Sequence, residues 1–129
     1  MASHKVKVLL VDDEELVRQL LARILSDSGY AVEEADNGAS ALQAARRLDG
    51  SLNLVITDIN MPVMDGLEFA RALRATDGQI PFLFITGLDP AIIHESGFRA
   101  DVLWKPFTPD ALLEKVARLT SASNRSHVA

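Results

Sequence analysis

The chain predicts an α/β fold: a doubly wound parallel sheet with helices on both faces. Three observations carry that expectation. Five short aliphatic runs alternate strictly with five helix-like segments, and a repeated βα unit closes as parallel strands joined by right-handed crossovers. The runs "VLLV", "LVIT" and "FLFIT" are apolar almost throughout, as strands covered on both faces must be. Length and composition, 129 residues with 48% hydrophobic and 24% charged, suit one soluble domain with a substantial core.

Each element has its own local reason. Residues 5–11, "KVKVLLV", are rich in aliphatic and β-branched side chains and read as a buried strand. A helix follows over 14–28, with Leu16, Leu20 and Ile24 beside Val17, Leu21 and Leu25 in one apolar stripe. Gly29 is placed to stop it with a positive φ. "AVEEA", 31–35, is short and half polar, as an edge strand should be. Asn37-Gly38 is a turn signal, and the alanine-rich 39–48 is helical. "LNLVIT", 52–57, is the next strongly apolar strand. Residues 64–75 form a helix with Leu67, Ala70 and Leu73 on a common side, broken at Asp77-Gly78. "PFLFIT", 81–86, is another buried strand. Asp89-Pro90 opens a short helix that Gly97 ends, and "DVLW", 101–104, is a short core strand. Thr108 caps the last helix with Pro109 in its first position. Leu112, Val116 and Leu119 give that helix its core face, and 121–129 reads as a polar, frayed tail.

Composition excludes several classes. A formal net charge of −5 leaves no basic face for nucleic acid. There is no cysteine, hence no disulfide framework or thiolate metal site. No apolar run is long enough to span a bilayer and no secretory leader stands at the start, which favours the cytoplasm. His4, His94 and His127 lie too far apart for a metal cluster. Met61, Met64 and the phenylalanines read as packing residues.

The polar residues gather at strand ends. Asp12 and Asp13 follow the first strand, Asp58 follows the third, Thr86 ends the fourth, and Lys105 follows the fifth, with Pro106 next. In open α/β sheets, sites form beyond the carboxyl ends of strands. Two carboxylates about 4 Å apart repel by ~4 kcal/mol at an effective dielectric of ~20. Such a group either raises a pKa or binds a cation. A hard divalent ion with oxygen ligands fits, Lys105 suits a phosphoryl group, and a carboxylate can attack phosphorus to give an aspartyl phosphate. Glu14 and Glu15 read as a solvated helix start, and Asp65 before Gly66 as a turn former.

Taken together, "VLLVDDEELVR", "LVITDINMPVMDGLE", "FLFITG" and "VLWKPFTPDALLEKV" resemble the receiver domain of two-component response regulators. The match runs from about residue 6 to 119, and "TDINMPVMDG" is its most specific part. The resemblance implies a flavodoxin-like (βα)5 fold with strand order 2-1-3-4-5, a receiver domain over 1–120 and a tail over 121–129. It implies that Asp58 is the phosphoacceptor and that Mg²⁺, or Mn²⁺, is held by Asp13 directly, by Asp12 through water, by Asp58 and by the Asn60 backbone carbonyl. Thr86 would bond a phosphoryl oxygen and carry the switch, and Lys105, before a cis Pro106, would pair with the phosphoryl group. Met61-Pro62 and Asp65-Gly66 would shape the loop around Asp58. The donor would be a phosphohistidine on a sensor histidine kinase or phosphotransfer protein. The product would switch the strand 4–helix 4–strand 5 surface toward an output partner the sequence does not name. The domain would be no conventional enzyme: it would catalyse its own phosphorylation and slow self-dephosphorylation, as a monomer or weak dimer without nucleic acid or membrane.

The chain departs from the family pattern in three places. Val102 stands where many receivers carry Tyr or Phe, leaving Trp104 as the aromatic of matching parity. The interval from Thr86 to Lys105 is short, so helix 4 should have about two turns. Leu88, two residues after Thr86, is apolar, which predicts a persistent aspartyl phosphate. Three rivals fit less well. A haloacid-dehalogenase-like phosphatase needs DxD where this chain has "DDEE". A flavodoxin-like nucleotide binder would offer Gly, Ser and Thr amides there. A receiver fold kept only for interactions would not need the intact acidic and basic set. The plain "MASH" start and untagged tail favour a stand-alone receiver, with a piece excised from a hybrid kinase or larger regulator as the alternative.

Overall fold

The computed structural model describes residues 5–48, 50–76, 78–98 and 100–128, with side chains as far as Ser121. Its elements are β1 (Lys7–Val11), α1 (Glu15–Asp27), β2 (Ala31–Ala35), α2 (Gly38–Arg47), β3 (Leu54–Asp58), α3 (Gly66–Thr76), β4 (Phe82–Thr86), α4 (Pro90–Ser96), β5 (Asp101–Trp104) and α5 (Pro109–Val128). Met1 to His4, Asp77 of the expected helix break, and Ala129 lie outside the described residues.

All strand pairs are parallel and the sheet order is β2-β1-β3-β4-β5. Alternation along each strand sends side chains to two cores. Leu9, Val11, Val55, Phe82 and Phe84 pack with α2, α3 and α4 through Ala41, Phe69 and Ile93. Val8, Leu10, Ile56, Leu83 and Ile85 pack with α1 and α5 through Leu21, Leu25, Leu112 and Val116. The strand order reverses between β1 and β3, so the cleft beyond their carboxyl ends opens there. Pairing of Val11 with Thr57 brings Asp12 level with Asp58. Asp58 pairs with Ile85, and Thr86 with Trp104, so Thr86 and Lys105 reach the same edge.

Local signals account for most boundaries. The Asn37 side chain accepts from Ser40 N at 2.8 Å and caps α2. Asp89 caps α4, Pro90 opens it, and Gly97 ends it with φ 74°. Thr108 Oγ1 accepts from Ala111 N at 3.1 Å and caps α5. The seven-residue α4 has the expected two turns, and the Lys105-Pro106 peptide is cis.

Three expectations are corrected. The apolar stripe of α1 is too broad: Leu21 and Leu25 are buried, but Leu16 and Leu20 are 81% and 60% exposed, because α1 docks on the sheet along the rows of Leu21, Ala22 and Leu25. β5 is an edge strand rather than a core strand, since only Leu103 of its four residues is buried. Residues 121–128 continue α5 where a frayed tail is expected. No Gly or Pro interrupts them, and Thr120 turns its hydroxyl back onto Val116 O at 2.8 Å, leaving the ladder intact. No helix among the described residues is long and apolar enough to cross a membrane.

Candidate functional site

Asp58 is the last residue of β3, not the first residue beyond it, and is almost fully buried. Its Oδ2 accepts from Lys105 Nζ at 3.1 Å and its Oδ1 from Asn60 N at 3.3 Å. The loop that holds it closes tightly: Gly66 N donates to Ile59 O at 2.8 Å. A Cβ on Gly66 would collide with the Asp58 carbonyl oxygen, so only glycine fits there. Val63, in the same loop, has φ 70°, a strained conformation for a β-branched residue.

Asp12 is 1% exposed and pinned on three sides. Its N–H donates to Ala35 O at 3.1 Å, its Oδ1 accepts from Glu14 N at 2.9 Å, and its carbonyl accepts from Arg18 at 2.9 Å. Burial raises its carboxyl above 3.8, and the neighbouring Asp58 and Asp13 add to this. The Glu14 amide and Lys105 oppose it without cancelling it. Burial alone would lower Lys105, but its hydrogen bond and attraction to Asp58, with Asp12 and Glu14 nearby, lift it above 10.5. Lys105 is therefore a stable ammonium at neutral pH.

Among the described residues, Asp12, Glu14 and Asp58 offer carboxylate oxygens within 4.8 Å of one another. Hard oxygen donors at that spacing, one of them reluctant to ionise alone, fit a divalent cation of the Mg²⁺ or Mn²⁺ kind. The expected member Asp13 is exposed and is not in this group. Asp13 sits in a bend between β1 and α1, and Glu14 after it is extended, with φ −85° and ψ 106°. Glu14, read from sequence as a solvated helix start, is the third carboxylate of this group.

Thr86 is buried at the end of β4, and its Oγ1 accepts from Leu88 N at 2.9 Å. The Leu88 carbonyl accepts from Trp104 Nε1 at 3.3 Å. Thr86 and Trp104 are thus joined through one residue of the β4–α4 loop, a link that sequence reading missed because it depends on tertiary contact.

The family model for the response regulator receiver domain matches residues 8–117. The chain belongs to the response regulator receiver domain family. Response regulator MprA of Mycobacterium leprae is 38% identical over 117 residues, covering 88% of this chain and 50% of the relative; the chain spans half the length of the regulator it matches. Among solved structures, chemotaxis protein CheY4 of Vibrio cholerae superposes with a TM-score of 0.82 at 36% identity, covering 89% of this chain and 98% of that one. A response regulator receiver protein from Sinorhizobium medicae gives 0.84 at 30% identity, covering 92% and 97%. The fold is that of these receivers, and the chain is a receiver domain of two-component signalling.

Proposed function

We propose that this receiver accepts a phosphoryl group on Asp58 from the phosphohistidine of a sensor kinase or phosphotransfer protein. The observation that supports it most is the pairing of Lys105 Nζ with Asp58 Oδ2 at 3.1 Å opposite converging carboxylates. An Asp58 oxygen attacks phosphorus in line, a P–O bond forms, the P–N bond breaks, and the imidazole keeps the electron pair and takes a proton. Phosphoryl transfer asks the protein mainly for positioning and charge neutralisation. Asp58 is positioned by its Asn60 and Lys105 hydrogen bonds, and Lys105 supplies a fixed positive charge.

Mg²⁺, or Mn²⁺, would be held by Asp12, Asp58, the Asn60 carbonyl and one further carboxylate, and would neutralise phosphoryl oxygens when bound. The family pattern supports Asp13 for the further carboxylate and the geometry supports Glu14. We assign it to Asp13, whose shorter side chain costs less to immobilise. Manganese titration of D13N and E14Q separates the two, with the larger loss of affinity expected for D13N.

A phosphoryl group on Asp58 competes for the Thr86 hydroxyl, which then releases the Leu88 amide. The β4–α4 loop shifts, Trp104 loses its acceptor, and the β4–α4–β5 face changes for the output partner. This is a population shift between two arrangements. Leu88 is apolar and activates no water, so the aspartyl phosphate persists. A half-life of seconds or less in the purified protein would contradict that point.

The test is binding of beryllofluoride, a phosphoryl mimic, followed by fluorine resonance. A bound signal that needs both Mg²⁺ and Asp58 supports the proposal. A signal that survives D58N, or no bound signal at all, overturns it.

A further inference from the structure

Arg18 lies on α1, one turn past the acidic step, and is only 14% exposed. Its guanidinium makes two directed contacts. Nε donates to Glu34 Oε1 on β2 at 3.0 Å, and the other prong donates to the Asp12 backbone carbonyl at 2.9 Å. The opposite side of Asp12 is held by its own N–H on Ala35 O, the residue after Glu34. The Val11–Asp12 peptide is therefore gripped from β2 through its N–H, and the Asp12–Asp13 peptide, which carries the chain on toward Glu14, from α1 through its carbonyl. The second peptide sets which carboxylates of residues 12 to 14 turn toward Asp58. Nothing in the transfer chemistry needs a second cationic residue here, and on charge alone a guanidinium beside a cation site is unfavourable.

We infer that Arg18 is a positioning residue for the cation site. Held by Glu34, it fixes the Asp12 carbonyl and so pre-orders the acidic step before an ion arrives. The inference rests on the proposed function, because it needs a divalent cation at Asp58. A planar fork can bridge a carboxylate and a carbonyl at once, whereas lysine is a single point charge. Groups that orient metal ligands from outside commonly govern about tenfold or more in affinity.

The two possible roles of Arg18 differ in sign. If it acts only through charge, its removal relieves repulsion and tightens cation binding. If it positions, removal loosens the acidic step and weakens binding despite the lost repulsion. The experiment is Mg²⁺ calorimetry, or Mn²⁺ titration by electron paramagnetic resonance, on unphosphorylated protein, with thermal melts as a folding control. R18M is expected to bind about tenfold more weakly, and R18K to recover part of the loss. The double variant R18M/E34Q removes one charge of each sign and leaves no orphaned Glu34. It should fold like the parent and keep the full loss. Unchanged or tighter binding in R18M or in the double variant overturns the inference. Wild-type protein that binds no divalent cation instead overturns the proposed function, and this inference with it.

Discussion

The acidic cleft is a source of instability when no cation fills it, and Asp12→Asn measures how much. Asn keeps the oxygen that accepts from the Glu14 amide and removes only the charge. Two unit charges 4.8 Å apart, the outer limit of the carboxylate group, repel by about 3.5 kcal/mol at an effective dielectric of ~20. Two features reduce that figure: Lys105 attracts Asp12, and Glu14 is exposed. A net gain of about 1 kcal/mol for D12N remains, roughly 4 °C in melting midpoint for a domain of this size. The pH dependence follows from the raised Asp12 carboxyl. Above 3.8 the native state holds this proton more tightly than the unfolded chain does, so wild-type stability falls as pH rises through the window above 3.8. The advantage of D12N should be present at pH 7 and vanish below 3.8. Saturating Mg²⁺ binds the native wild type and should reverse the ranking. Urea unfolding with EDTA or with Mg²⁺, at neutral and acidic pH, measures all three. A D12N protein no more stable than wild type in EDTA at pH 7 would refute the reasoning.

Other outcomes follow from neighbouring contacts. Trp104 is the only tryptophan and donates to the Leu88 carbonyl, so its fluorescence should change when Mg²⁺ and beryllofluoride are added together. T86A should suppress that change, and an identical response in T86A would sever the link. Val63 is 85% exposed with φ 70°, so V63N should relieve strain and stabilise the fold by about 1 kcal/mol in urea titrations; a loss of stability would show the loop is not strained. Gly66 abuts the Asp58 carbonyl, so G66A should destabilise by about 2 kcal/mol or more and abolish beryllofluoride binding. Parent-like behaviour would mean the loop can open freely.

The βα alternation was legible because each element carries its own local signal: aliphatic runs, the Asn37 and Thr108 caps, and Gly29 and Gly97 with positive φ. The meeting of Asp12, Asp58, Thr86 and Lys105 was legible only after the family resemblance supplied the strand order. What failed depends on geometry that sequence does not encode locally. The convergence of Glu14 with Asp12 and Asp58 depends on how the chain turns between β1 and α1. The exposure of Leu16 and Leu20 depends on how α1 rolls against the sheet, since its stripe has more apolar rows than the sheet can cover. The half-exposed state of β5 follows from its place at the sheet edge. Arg18 gave no signal because its partner Glu34 is 16 residues away and its other partner is a backbone carbonyl.

The most direct test of the account is the intact mass of the protein after incubation with acetyl phosphate. The account predicts that wild type gains one phosphoryl group only when Mg²⁺ is present, that hydroxylamine removes it, and that D58N gains none. An unchanged wild-type mass, or an equal gain in D58N, would contradict it.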